Sequence, residues 1–129
     1  MREILFRGKR IDNSKWVEGY LRFIYVDNPE KASIYDSKTV RNYDVDYETV
    51  GQYTGLKDKN GVKIFEGDIV IGKKGYAGSP YYPIWEQRFA VKYEYGCYRE
   101  LCDTSYYEFE VIGNIHDNPE LLEVQNENT

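Results

Sequence analysis

The chain has 129 residues, 41% of them hydrophobic and 30% charged, enough for one core without staples and too apolar for a disordered chain. Its 22 Asp and Glu outweigh 17 Lys and Arg, which disfavours nonspecific nucleic-acid binding through clustered cations. With 2 cysteines and 1 histidine, a disulfide framework and a Cys/His zinc site are excluded, and the longest apolar run is too short for a membrane helix.

The first 25 residues read as a β-hairpin. Ile4-Leu5-Phe6 opens a strand, Asp12-Asn13-Ser14 turns the chain, and Trp16 to Phe23 returns. On the returning strand Val17, Gly19, Leu21 and Phe23 share the parity expected to face a core, while Trp16, Glu18, Tyr20 and Arg22 share the other. Trp16 is therefore a candidate partner-binding ring, with capping of the sheet's outer face as its structural alternative. The charged start MREILFRGKR lacks the apolar core of a signal peptide, so a cytoplasmic protein is expected.

Residues 26–47 read as a connection with one short element at Ser33-Ile34-Tyr35. A subdivision within the single domain 1–129 separates this hairpin and connection, 1–47, from a small barrel over 48–124 and a disordered tail at 125–129. In TVGQYTGLKDKNGVKIFEGDIV, at 49–70, Val50 begins a strand and Asp58-Lys59-Asn60-Gly61 is a turn. Glu66-Gly67-Asp68 then breaks the run, as at a bulged turn, with Asp68 accepting backbone N–H bonds across it.

Residues 72–87 read as a long loop bearing Tyr76, Tyr81, Tyr82 and Trp85, with Lys73 and Lys74 at its start. These rings are the main candidate partner-binding residues; folding back as a plug over a barrel end is the alternative. Phe89, Val91, Tyr93 and Tyr95 alternate as one strand, and Tyr107, Phe109 and Val111 as another. Asn118-Pro119-Glu120 starts a helical turn with Asn118 as its cap. Cys97 and Cys102, if on one strand, face opposite sides and are not expected to pair.

Catalytic chemistry is sparse. Glu66 and Asp68 are a carboxylate pair without a sequence-adjacent base or metal ligand, and His116 has only its neighbour Asp117 to orient it. Nothing in the sequence brings Cys97 to His116. No enzyme activity, cofactor or metal is expected.

Three segments together resemble the YopX family of phage and prophage proteins: EILFRGKRIDNSKWVEGYL at 3–21, ETVGQYTGLKDKNGVKIFEGDIV at 48–70, and FEVIGNIHDNPELLE at 109–123. The middle one is marked by Thr49, Gly51, Gln52, Gly55, Asp58, Gly61, Glu66, Gly67 and Asp68. The resemblance implies a mainly β fold whose later part is a small Src homology 3-like barrel, and a phage or prophage origin. It implies no catalytic residues. The expected function is a noncatalytic protein-binding module in the bacterial cytoplasm, with self-association left open. The competing reading is a nucleic-acid-binding accessory protein using Arg7, Lys9, Arg10, Lys73 and Lys74. A small enzyme using Glu66 and Asp68 stands behind both.

Overall fold

A computed structural model describes residues 4–75 and 85–122. The chain divides into two compact units after Gly55, and the described residues are mainly β, as the period-two patterns predict.

The first unit is built from antiparallel strands β1 (Phe6–Lys9), β2 (Trp16–Ile24), β3 (Lys31–Asp36), β4 (Arg41–Asp46) and the start of β5 (Gly51–Lys57), in the order β4-β3-β2-β1-β5. The predicted hairpin is β1 and β2, paired with Gly8 opposite Val17 and Lys9 opposite Trp16. Past β1, Arg10 bridges Val45, and the Ile11 N–H donates to the Asp44 carbonyl at 3.1 Å. Val17, Ala32, Ile34 and Val45 form the buried core, with Phe6, Leu21, Tyr43 and Val50 packed on it. Gly19 is required by close approach: a Cβ there would collide with the Tyr35 carbonyl oxygen of the neighbouring strand. The residue thus makes room for strand backbone.

Two expectations for this unit are corrected. Residues 26–47 hold a complete second hairpin, β3 and β4, with Ala32 opposite Val45 and Ile34 opposite Tyr43. The strand β4 escapes sequence reading because only Val45 of RNYDVD is fully buried. The parity of β2 breaks at a register shift between Leu21 and Phe23, so Phe23 turns outward and is 47% exposed. A bulge reverses every later side chain on its strand. The predicted subdivision at 47/48 falls inside a single 3-10 turn, Tyr47–Thr49, that leads into β5.

The second unit contains β6 (Lys63–Phe65), β7 (Asp68–Lys74), β8 (Trp85–Ala90), β9 (Tyr93–Glu94), β10 (Cys97–Tyr98) and β11 (Tyr106–Asn114). Strands β11-β7-β8 make one sheet, and β9 with β10 makes a separate ribbon. Among the described residues these sheets do not close, so they do not show the expected Src homology 3-like barrel. Ile64, Val70, Phe89, Val91, Leu101 and Tyr106 form the core. Its rings interlock: Tyr106 and Phe109 lie 5.3 Å apart, and Phe89 meets Phe109 edge-on at 6.0 Å.

The expected loop at 72–87 is shorter than its composition suggests, because β7 runs on to Lys74 and β8 starts at Trp85. The expected strand through Tyr95 is also interrupted. Tyr95 and Gly96 both take positive φ, 53° and 85°, which is the geometry of a two-residue hairpin turn joining β9 to β10. Tyr95 is consequently 94% exposed. Tyr106, rather than Tyr107, enters the core, since the register shifts between Tyr106 and Glu108. Cys97 and Cys102 do not share a strand. Both are free thiols, and the pKa of Cys97 is raised by burial and then by its interaction with Cys102. The helical turn begins at Glu120, but the Asn118 side chain accepts from the Asn114 N–H at 3.3 Å instead of capping it.

Candidate functional site

In the second unit, the Glu66-Gly67-Asp68 turn is held from several directions. Gly67 takes φ +90°, a conformation that costs glycine little, and its N–H donates to the Val91 carbonyl at 3.0 Å. Its own carbonyl accepts from the Ile115 N–H at 2.9 Å. Asp68 is 2% exposed, and its carboxylate accepts from the Phe65 N–H at 2.8 Å, as the sequence predicts. The His116 ring sits directly over the turn, its Nε2 3.6 Å from the place a Gly67 Cβ would occupy. The fold thus brings His116 to the turn that bears Glu66 and Asp68, a proximity the sequence does not disclose.

The carboxylates here hold backbone. Asp58 accepts from the N–H groups of Asn60 at 2.8 Å, Val62 at 2.9 Å and, across to β11, Val111 at 2.9 Å. Burial would push the Asp58 carboxyl upward, but those three N–H donors outweigh it and hold the pKa below its ordinary value. Asn114 Oδ1 receives the His116 N–H at 3.0 Å and the Asp117 N–H at 2.9 Å, shaping the segment that carries the ring. The segments 48–70 and 109–123 therefore meet through Asp58–Val111 and Gly67–Ile115. In the first unit, segment 3–21 meets the start of 48–70 in the same manner. Thr49 Oγ1 accepts from the Lys9 N–H at 2.8 Å and donates to the Asp46 carbonyl at 2.6 Å. The motif residues are largely backbone acceptors and turn formers.

The candidate binding rings occupy two separate settings. Trp16 opens β2 and is half-buried, with the Arg7 guanidinium 4.7 Å above its ring and the Lys9 ammonium at 5.9 Å. Trp85 opens β8 opposite Lys74 and is 66% exposed. Lys74 lies 4.5 Å over the Tyr106 ring and 3.0 Å from the Asp103 carboxylate. The Ser105 hydroxyl and N–H, with Lys74, hold the Asp103 carboxyl down to about 2. Tyr106 donates its hydroxyl proton to Gln87 Oε1 at 2.8 Å. Tyr76, Tyr81 and Tyr82 lie outside the described residues. Tyr20, 56% exposed, and Phe23 join the outward rings of the first unit. The outer parity of β2 could have flagged Tyr20, whereas Phe23 depends on the bulge.

Of the cations proposed for nucleic acid, Arg7 and Lys9 share the Trp16 ring, and the others have their own acidic partners. Arg10 forks onto Asp12 at 3.0 and 2.6 Å and covers the Tyr43 ring at 4.5 Å. Lys73 and Lys74 are consecutive on β7 and point to opposite faces. Lys73 reaches Glu108 at 3.3 Å and Glu86 at 3.7 Å, contacts that raise its pKa, the bond to Glu108 most. Among the described residues no group of three or more His, Cys, Asp or Glu is placed to hold a metal ion. No helix there is long and apolar enough to cross a membrane.

The family described as YopX protein matches residues 5–123. The chain is also similar to the crystal structure of protein EF1440 from Enterococcus faecalis, at 23% identity over 95% of this chain and 99% of that one, with a TM-score of 0.46. No curated protein matches.

Proposed function

Since the chain belongs to the YopX family, we propose that it is a noncatalytic protein-binding module, encoded by a phage or prophage and acting in the bacterial cytoplasm. The observation that carries this reading is a division of labour in the second unit. The motif carboxylates Asp58 and Asp68 serve backbone N–H groups, while Trp85 stands 66% exposed at the start of β8. A carboxylate fixed by backbone donors is poorly suited to shuttle protons, and an exposed tryptophan on a rigid strand is a typical anchor for a partner. Lys74, opposite it at the same end of the sheet, adds a cation.

Affinity capture from bacterial host cells with mass spectrometry tests the reading, comparing the unaltered chain with W85A. The expected result is a reproducible protein partner that W85A loses, with the variant's thermal transition unchanged. The absence of any reproducible partner, or equal capture by W85A, overturns the proposal.

A further inference from the structure

The outer face of the first unit's sheet has a composition that the motif does not explain. Directly opposed residues of an antiparallel pair share a face. Lys9 opposes Trp16, Arg7 opposes Glu18, Tyr20 opposes Tyr35, and Phe23 opposes Ser33. These pairs all lie on the side away from Val17, Ile34 and Val45. Without the register shift after Leu21, Phe23 would point toward that core. With it, Trp16, Tyr20 and Phe23 follow one another along the outside of a single strand. Tyr25, just beyond β2, continues the row, its ring meeting Phe23 edge-on at 5.0 Å. From Trp16 to Tyr25 the row covers about 30 Å of extended chain.

Cations accompany the rings. Arg7 and Lys9 cover Trp16, and Arg22 reaches Asn42 at 3.4 Å from within the bulge. The carboxylates on this face are Glu18, opposite Arg7, Asp46, opposite Lys31, and Asp44. Asp44 is engaged by Lys31 at 3.4 Å and by the Tyr25 hydroxyl at 2.6 Å. With Arg7, Lys9, Arg22 and Lys31 against Glu18, Asp44 and Asp46, the face carries one net positive charge in a chain whose formal net charge is −5. Rings in a row on a rigid sheet, edged by cations, match a ligand that alternates flat apolar groups with negative charges.

We propose that this face binds single-stranded nucleic acid, with bases stacking on Tyr20 and Phe23 and phosphates meeting Arg7, Lys9 and Arg22. The strand is recognised by stacking and charge, so sequence preference is weak. Duplex, whose bases are hidden in the stack, offers only its phosphates. The proposal goes beyond the protein-binding reading and uses the other unit of the chain.

Fluorescence anisotropy of labelled oligonucleotides about twelve nucleotides long, titrated with the full chain, provides the test. Single strands should bind in preference to duplex of the same sequence. With three phosphates neutralised, the logarithm of affinity should fall against the logarithm of salt with a slope of about −2. Y20A and F23A should each weaken binding on the order of ten-fold, whereas Y20F, which keeps the ring, should bind like the unaltered chain and so separates stacking from misfolding. Parallel DNA and RNA strands identify the source, the tighter one being the ligand. Failure to bind any single strand at low salt overturns the proposal. So does equal binding of duplex, alanine variants that bind normally, or a protein partner that needs Tyr20 and Phe23 while no oligonucleotide binds. Partner capture reports on Trp85 and oligonucleotide anisotropy on Tyr20 and Phe23, so the failure of one reading is distinguishable from the failure of the other.

Discussion

In the first unit the buried cluster is aliphatic, built on Val17, Ala32, Ile34 and Val45, and most of its rings lie outside it or on its margin. In the second unit Phe89 and Tyr106 are buried with Phe109 packed against them, and the opposite face of the sheet is ionic. There Lys59 bridges Glu108 and Glu110 at 3.7 and 3.3 Å, and Lys73 adds Glu108 and Glu86. One aromatic-rich composition therefore serves two arrangements. A ring in this chain signals structure or recognition only once its face is known, and two register shifts decide which face Phe23 and Tyr106 occupy.

That contrast is easiest to break with matched truncations. Phe89→Ala should destabilise the chain by about 4 kcal/mol, because it removes a ring from an interlocked cluster and leaves a cavity. Phe23→Ala, the same chemical change on the outside, should cost less than about 0.5 kcal/mol. Equilibrium urea denaturation measures both, and equal costs would contradict the two settings.

Smaller but more specific is Asp58→Ala, expected to cost about 3 kcal/mol by leaving N–H groups of Asn60, Val62 and Val111 without their acceptor. The same carboxylate has an acid signature. Its folded pKa is lowered, so its contribution is present above the unfolded value of about 3.9 and is lost as pH falls through that value toward the folded one. Asp103, held at about 2, loses its smaller contribution over the same acid range, between about pH 4 and 2. Asp58→Asn should therefore flatten the acid side of the stability profile, read from thermal midpoints across pH. Gly19→Ala probes the first unit in a comparable way. Because a Cβ there meets strand backbone rather than a side chain, the loss should be about 2 kcal/mol, accompanied by weaker amide protection along β2 and β3.

The smallest expected effect concerns the ionic face. Lys73→Ala should cost under about 1 kcal/mol, and less at high salt, because its partners are solvent-accessible and screened. A salt-independent loss would show that the lattice is tighter than its exposure implies.

The N-terminal hairpin, the turns at 58–61 and 66–68, and the alternation of Arg88, Phe89 and Ala90 at the end of β8 are legible, since turn chemistry and period-two burial are local signals. The resemblance to the YopX family rested on residues such as Thr49, Asp58 and Asp68, whose hydrogen bonds explain their pattern. What was hidden is nonlocal. β4 carries too few buried residues to show a period, and the shifts at Leu21/Phe23 and Tyr106/Glu108 have no sequence mark. The approach of His116 to Gly67 depends on chain segments 49 positions apart. Of the candidate binding residues, Trp16 lies on a strand as the sequence predicts, whereas Trp85, expected in the loop 72–87, opens β8. Their different exposures follow from neighbours, Arg7 and Lys9 in one case and open solvent in the other.

The bonds from Val111 to Asp58 and from Ile115 to Gly67 also bear on the order in which the protein matures. A chain emerging from the ribosome presents the paired strands β1 to β5 as soon as β5 is made. The turns at 58–61 and 66–68 must then wait for residues synthesised some 50 positions later to complete their clasp. The second unit is thus the late-closing half, exposed longest to proteases and to wrong strand partners. A nascent chain stalled before Val111 should be protease-resistant through the first unit and cut beyond it.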